Sequence, residues 1–457
     1  MVSQGYRRPS QPCQSTKILL LLPSWRRPAN HALLNGTKNG LKHTNIKPRE
    51  STTSWSDSGP AADRTVSAHS EMSTLPPKAR PVLITAVNGF ISSNITSCFL
   101  SHGYTVIGTV RSLYQHAWLQ RLFDTQYPGL FSLVEVADIG DDGALESIIR
   151  ARAVVSVIIT TSLLDTNQNT PEPYISKSVD IALASLRAAS RCPAVQSVVV
   201  TSSAWAMATP HVNVREALTA SDYNEEAIGL VYDDAVTDPT YRGFLIVMAA
   251  NAKKGRAMWD FVRETKPSWR FNKLLVDTTF GNIVSATDQG FPSTASLVNG
   301  PEAARSASFS LTPQWFVDVE DVAMLHVAAA TRLDISSERI FAYGRRFTWK
   351  AITGILQNCR PEAEWTTDIN EDEGECLVEC LTREAPKFFA PWDRPKAGQT
   401  WRRQSGIPYA IISLWSRIRR RYLFTNGKEK NAARGRFTSF GCLSRSVYAY
   451  ILSGPLK

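Results

Sequence analysis

The 457-residue chain has no apolar run near the roughly 20 residues that a membrane-spanning helix needs. Its best early candidate, Ile18 to Leu22, is also shorter than the apolar core of a secretory signal peptide, about 7–15 residues. We therefore expect no membrane span and a cytoplasmic location. Mitochondrial targeting by the acid-free N-terminus is the alternative, because its composition is that of a transit peptide.

Metal-ligating residues are scarce: the chain has 7 cysteines and 7 histidines, and they are scattered. Cys376 and Cys380 lie close together, but no further Cys/His pair accompanies them, whereas a structural zinc usually has four ligands. The odd number of cysteines and their apolar surroundings indicate reduced, buried thiols. We predict no metal site.

Acidic residues are missing where the chain is most basic. Residues 1–49 contain nine Lys/Arg and no acid, and residues 394–457 contain fourteen Lys/Arg and one acid, Glu429. Since the ends contribute +9 and +13 to a net charge of +10, residues 50–393 carry −12. A nucleic-acid-binding core would itself be positive, so we expect no nucleic-acid partner.

From residue 81 onward, the sequence pattern is typical of a globular α/β protein. Short β-branched runs alternate there with amphipathic stretches, such as the one carrying Ile91, Ile95 and Phe99. Continuous apolar strands separated by helices indicate a parallel sheet covered on both faces. This predicts a doubly wound, Rossmann-like α/β fold with strands at 82–85, 105–110, 133–136, 154–160, 197–201 and 272–276.

Composition changes divide the chain into four predicted segments. Residues 1–77 read as a disordered leader, residues 78–281 mainly as the nucleotide-binding domain, and residues 282–393 mainly as a smaller substrate lobe interleaved with it. Residues 394–457 form a basic tail of unknown structure. Its segment Ile411–Phe424 mixes apolar residues with arginines and could lie on an anionic membrane surface, or be a solvated tail or a misread exon.

The end of the first strand carries a candidate dinucleotide site. Small residues let backbone N–H groups approach a pyrophosphate at a helix N-terminus. Of the three glycines typical of such a loop Gly89 alone remains, because Ala86 and Ser92 occupy the other two positions. We predict cofactor contacts at Thr85, Ala86, Asn88, Gly89, Phe90 and Ile91.

Arg111 follows the second strand and points to the identity of the cofactor. An acid at this position would bind the ribose hydroxyls of NAD, whereas an arginine can pair with the 2′-phosphate of NADP. The sequence therefore predicts NADP, in use as NADPH.

Several collinear motifs resemble one family over roughly residues 79–365. They are LITAVNGFISSN near the start, VVVTSS at 198–203, AMWDF at 257–261, PQWFVDVEDVAMLH at 313–326 and ERIFAYGRRFTW at 338–349. This pattern resembles the extended short-chain dehydrogenase/reductase superfamily of the NAD-dependent epimerase/dehydratase type. Within it, the chain looks most like fungal NADPH-dependent aldehyde and ketone reductases, which are relatives of dihydroflavonol reductases.

The resemblance implies further site residues and a reaction. Asp138 and Ile139 would hold the adenine, Thr161 would flank the nicotinamide, and Ser203 would be the catalytic serine. It also implies a small carbonyl substrate in fungal secondary or xenobiotic metabolism.

The catalytic tyrosine and lysine that the resemblance implies are missing. Counting back from Trp259 aligns them with Val247 and Asn251, and none of the 13 tyrosines is followed four residues later by lysine. Tyr241 and Lys254 are possible substitutes, or simply surface and packing residues.

Three hypotheses remain open at this point. The protein is a carbonyl reductase with a degenerate catalytic pair, a catalytically dead NADP-binding pseudo-enzyme, or a flawed gene model of an active reductase. The sequence identifies neither the substrate nor the oligomeric state.

Overall fold

A seven-stranded sheet forms the centre of the computed structural model, which describes residues 81–365, 370 and 372–381. All of its strands are parallel, and from one edge of the sheet to the other they are β10 (Glu338–Ala342), β7 (Arg270–Val276), β5 (Ser197–Ser203), β4 (Ser156–Ile159), β1 (Val82–Ile84), β2 (Val106–Val110) and β3 (Phe131–Glu135). The predicted doubly wound α/β fold is confirmed.

Helices cover both faces of this sheet, and its inner strands β1, β2, β4, β5 and β7 are accordingly buried on both sides along most of their length. Three of these helices pack on one face through a first apolar cluster, and three pack on the other face through a second apolar cluster. The six are α1 (Phe90–Ser101), α2 (Leu113–Gln126) and α9 (Val319–Thr331), then α3 (Asp142–Ala151), α4 (Pro171–Ser190) and α6 (Pro239–Thr265).

The long helix α6 begins and packs in ways that its sequence explains. The Asp238 carboxylate caps the helix by accepting the backbone N–H groups of Thr240 and Tyr241, and Pro239 takes the first helical position. Gly243 allows a close approach, since a Cβ there would stand 1.8 Å from the carbonyl oxygen of Thr166. Helix α6 is therefore pressed against the loop that follows β4.

A smaller layer lies beside the main sheet. It holds a three-stranded sheet, a two-stranded sheet and an apolar cluster that includes Phe280, Phe316 and Trp349. Its elements are β6 (Arg215–Thr219), α5 (Glu225–Leu230), β8 (Thr278–Phe280), α7 (Ala286–Gln289), α8 (Pro301–Ser310), β9 (Trp315–Asp318), β11 (Arg345–Arg346), α10 (Trp349–Cys359) and β12 (Leu377–Leu381), with 3₁₀ turns at Ala204–Ala206 and Ser293–Val298.

The segment predicted to be mainly substrate lobe also supplies β10 and α9 to the main sheet. The domain boundary at residue 281 stays a prediction. The predicted leader and basic tail, including Ile411–Phe424, lie outside the described residues. Within the described ranges, no helix combines the length and apolar character that crossing a bilayer requires.

Candidate active site

The carboxyl ends of β1 and β4 are joined by threonine hydroxyls. The buried Thr85 hydroxyl accepts the backbone N–H of Thr160 at 3.0 Å and lies 2.9 Å from the Thr161 hydroxyl, which donates to it. The Thr160 hydroxyl in turn donates to the Thr85 carbonyl oxygen. These bonds fix two of the predicted cofactor residues, Thr85 and Thr161, at one edge of the sheet.

Ala86 adopts the backbone conformation that glycine usually supplies at this turn. Its φ is 49°, in the left-handed region, which costs an L-residue about 1–2 kcal/mol. The Thr109 hydroxyl accepts the Ala86 N–H at 3.2 Å, and the Ser92 hydroxyl donates to the Ala86 carbonyl oxygen at 2.6 Å. The tight turn is thus kept although its glycine is gone.

The N-terminus of α1 fits the pyrophosphate of a dinucleotide. Gly89 precedes the helix without a side-chain cap, so no side chain takes up the N–H groups of its first turn. Phe90 is buried and Ile91 packs against the smaller layer, so both could reach a phosphate only through their backbone. The Gln289 side chain, at the end of α7, donates to the carbonyl oxygens of Asn88 and Gly89 and so fixes the loop to the smaller layer.

Two exposed side chains lie at the adenine end predicted from the sequence. Arg111 follows β2 and is exposed, so its guanidinium is accessible to a 2′-phosphate. The Asp138 carboxylate accepts the Gly140 N–H at 2.9 Å, and Ile139 packs partly buried against the second apolar cluster. The residues present therefore fit an NADP-type nucleotide.

Ser203 ends β5 at the same edge of the sheet. Its hydroxyl oxygen accepts the backbone N–H of Trp205 at 3.1 Å and caps the 3₁₀ turn that follows. The hydroxyl proton is left to be donated to a bound oxygen. In the neighbouring Ser202 the hydroxyl is buried without a hydrogen-bond partner among the described residues.

The helix positions predicted for the catalytic pair hold no acid. Val247 is 1% exposed and packs in an apolar cluster with Phe244 and Tyr174, while Asn251 is 7% exposed. Valine has no proton to release, and an amide cannot lower a neighbouring pKa by charge. Tyr241 packs against the same cluster at the start of α6.

His326 is a structural residue. Its Nε2 lies 2.8 Å from the Thr201 hydroxyl and its Nδ1 lies 2.8 Å from the Val322 carbonyl oxygen, so the ring pins α9 to β5. Burial lowers the pKa of His326 to about 4, which keeps it neutral. In the described part of the chain no group of three or more His, Cys, Asp or Glu could hold a metal.

Two ionisable residues on β7 and just after it escaped the sequence analysis. Lys273 is 1% exposed beneath α6, and burial lowers its pKa well below the usual value. Asp277 follows the strand, and burial raises its pKa to about 7. Lys273 falls within the predicted strand 272–276 and Asp277 directly follows it, but a position along a strand does not show that either side chain is buried.

Comparisons with known proteins agree with this geometry. Residues 82–226 match the model of the NAD dependent epimerase/dehydratase family. The chain is 28% identical over 323 residues to aldehyde reductase 2 of Sporidiobolus salmonicolor, covering 70% of this chain and 92% of that protein. It is 30% identical over 311 residues to the ketoreductase nvfG of Aspergillus novofumigatus, covering 66% and 88%.

Solved structures share the fold. The yeast methylglyoxal/isovaleraldehyde reductase Gre2, complexed with NADPH, superposes with a TM-score of 0.56 at 19% identity, covering 74% of this chain and 99% of that one. Vestitone reductase from alfalfa superposes with a TM-score of 0.52 at 17% identity, covering 75% and 99%. This chain belongs to the NAD-dependent epimerase/dehydratase family of extended short-chain dehydrogenase/reductases.

Proposed function

We propose that this protein is an NADPH-dependent reductase of a small aldehyde or ketone. The observation that carries the proposal is the meeting of three features at one sheet edge: the Ala86 turn, the Thr85–Thr161 bond and the Ser203 hydroxyl. Relatives named aldehyde reductase and ketoreductase support the reaction type. The NADPH complex of a structural neighbour and the exposed Arg111 support the cofactor.

Bound NADPH would supply the hydride that reduces the carbonyl carbon. The uncapped first turn of α1 would bind its pyrophosphate, and Arg111 would pair with the 2′-phosphate. Asp138 and Ile139 would border the adenine, and Thr161 would border the nicotinamide. The Ser203 hydroxyl would donate a hydrogen bond to the substrate oxygen, where negative charge develops.

One observation favours a second candidate, a nucleotide-binding pseudo-enzyme. Val247 and Asn251 stand where the tyrosine and lysine are expected, and Val247 is closed off in an apolar cluster. The two candidates make the same prediction for cofactor binding and opposite predictions for turnover. A role in secondary metabolism and a cytoplasmic location also stay predictions.

Cofactor titration and turnover assays test the proposal. Fluorescence titration should give a lower Kd for NADPH than for NADH, and NADPH oxidation should depend on an added aldehyde or ketone. Tight NADPH binding with no turnover on a broad carbonyl panel would favour the pseudo-enzyme. Failure to bind either nucleotide would overturn both candidates.

A further inference from the structure

Lys254 of α6 is a buried amine with one hydroxyl partner. Its side chain is 7% exposed, and its Nζ donates a hydrogen bond to the Ser162 hydroxyl at 2.9 Å. Among the described residues no carboxylate forms an ion pair with it. A lysine ammonium has three N–H donors, so two remain for oxygens from outside the chain.

This amine lies at the sheet edge where Ser203 ends its strand. Ile159 and Val200 are the last paired residues of β4 and β5. Ser162 lies three residues beyond Ile159, and Ser203 lies three residues beyond Val200. The hydrogen bond to Ser162 therefore brings Lys254 Nζ to the opening between these two strands.

Helix geometry explains how a residue two turns along α6 reaches this opening. Lys254 is seven residues after Val247, nearly two whole turns, so both residues lie on the same helix face, about 10 Å apart along the axis. Helical side chains lean toward the N-terminus, which carries the amine back to the level of Asn251. The contact that Gly243 permits with Thr166 holds this face of α6 against the loop carrying Ser162.

The ionisable side chains that face Lys254 are basic, and none of the described ones is a carboxylate that would stabilise its ammonium. Lys273 faces it from β7, and Arg339 of β10 lies beside Lys273 in register, with its guanidinium 4.0 Å from the centre of the Tyr223 ring. Arg256, which also stacks on Tyr223, is paired with Glu225. Burial lowers the pKa of Lys254 to about 8. An amine that titrates there is protonated at neutral pH and can give up its proton readily.

We propose that Lys254 is the proton donor of the carbonyl reduction and hydrogen-bonds the substrate oxygen together with Ser203. This inference rests on the proposed reductase function. In the step, the carbonyl carbon would form a C–H bond with the hydride as the C–H bond that held it in the reduced cofactor breaks and the cofactor is oxidised, and the C=O π electron pair would move onto the oxygen. The oxygen gains an O–H bond as one N–H bond of the Lys254 ammonium breaks. The neutral amine then takes a proton from water.

Three variants test this role: Lys254→Met, Lys254→Arg and the control Lys253→Met, whose lysine bonds the Tyr232 hydroxyl instead. Lys254→Met should lower kcat/KM by about 10²-fold or more. Lys254→Arg should lose nearly as much, because an arginine keeps its proton. Lys253→Met should match the parent, and all three should bind NADPH within about threefold of it.

The pH profile supplies the signature of a proton donor. The ammonium is the active form and prevails below a pKa of about 8, so kcat/KM of the parent should fall as pH rises through that value. This decline should be absent in both Lys254 variants. Lys254→Met should also melt no lower than the parent at neutral pH, since it removes a buried charge.

A measurement without substrate completes the test. The ¹³Cε resonance of Lys254, assigned by its loss in Lys254→Met, should titrate near pH 8 in the free protein. A midpoint near that of an exposed lysine, or full activity of Lys254→Met, would overturn the Lys254 role and leave the reductase proposal standing. NADPH binding without turnover in the parent at any pH would overturn both.

Discussion

The loop after β1 and the helix α6 have both lost residues that the family resemblance implies, with different consequences. In the loop, Ala86 replaces a glycine but keeps the left-handed turn, and the first turn of α1 stays uncapped. In α6, the helix is intact, but Val247 and Asn251 cannot carry a proton. Binding through the backbone survives substitution at a modest cost, whereas chemistry through side chains is lost with the residue.

This contrast predicts that pyrophosphate binding through the backbone tolerates side-chain substitution, whereas turnover does not. Helix α6 also shows that a helix can keep a buried packing surface although its reactive side chains are replaced. The buried side of α6 from Phe244 to Ala252 remains a continuous apolar surface interrupted by Asn251 alone. The sharpest tests therefore change either the catalytic positions or the cofactor-binding residues and leave the other set unchanged.

Restoring the implied pair should give the largest effect. In the Lys254→Met background, Val247→Tyr with Asn251→Lys should raise kcat by about 10²-fold or more, since general acid catalysis contributes that much. Each change alone should give less than about tenfold, because the lysine acts through the pKa of the tyrosine. Single-turnover assays measure the gain, and melting curves check that tyrosine fits the Val247 position. A folded double variant with no gain would mean that these positions do not face the carbonyl.

Removing the Ser203 hydroxyl should rank second. Ser203→Ala should lower kcat/KM by about 10²-fold with unchanged NADPH affinity, the effect of losing one donor to a developing oxyanion. The matched control is Ser202→Ala, since the Ser202 hydroxyl is on the same strand but is buried and bonds none of the described residues. Equal losses in both variants would indicate a packing effect on β5 rather than a catalytic one.

Changing Arg111 tests the binding side of the comparison. Arg111→Ala should weaken NADPH binding by about 1.5–3 kcal/mol, which is roughly 10- to 150-fold in Kd, and leave the Kd of NADH unchanged. Arg152→Ala, at an exposed site after α3, is the control and should change neither constant. A parent that binds both nucleotides equally would remove the reason for assigning NADP.

Relieving the strained turn should have the smallest effect. Ala86→Gly should raise the free energy of unfolding by about 1 kcal/mol and tighten NADPH binding by less than about tenfold. Ala153, with φ at 48° and away from the crevice, is the matched control. Ala153→Gly should give the same gain in urea denaturation and leave NADPH affinity unchanged. A loss of stability in Ala86→Gly would mean that the added chain entropy of glycine outweighs the strain.

The sequence predicted the fold well because the signal was local. Each β-branched run became a strand of the sheet, with ends shifted by at most two residues. The pairing of β6 with β12 was not predictable, since it joins Arg215 to Leu377, far away along the chain. The outer strand β10 was missed for a related reason: its five residues are partly charged and lie far along the chain from its partner β7.

Site residues were predictable only where their role does not depend on contacts with residues distant in the sequence. Arg111 follows a strand, and its position and charge suggested its role, whereas Ser203 was assigned from the family resemblance. The approach of Lys254 to Ser162 depends on the tilt of α6 and on the space that Gly243 provides, neither of which a spacing rule contains. The burial of Lys273 beneath the helix was equally invisible, because it requires knowing what stands above it.

Gly255 and Lys273 illustrate how mutations become dependent on one another. A Cβ on Gly255 would stand 3.0 Å from Lys273 Nζ and 3.3 Å from the Tyr223 ring, so the lysine occupies space that a side chain on α6 would need. A side chain at position 255 would require the Lys273 amine or the Tyr223 ring to move by a few tenths of an ångström. Substitutions at positions 255 and 273 are therefore expected to have non-additive effects on stability, because a side chain added to α6 and the lysine amine would compete for the same space.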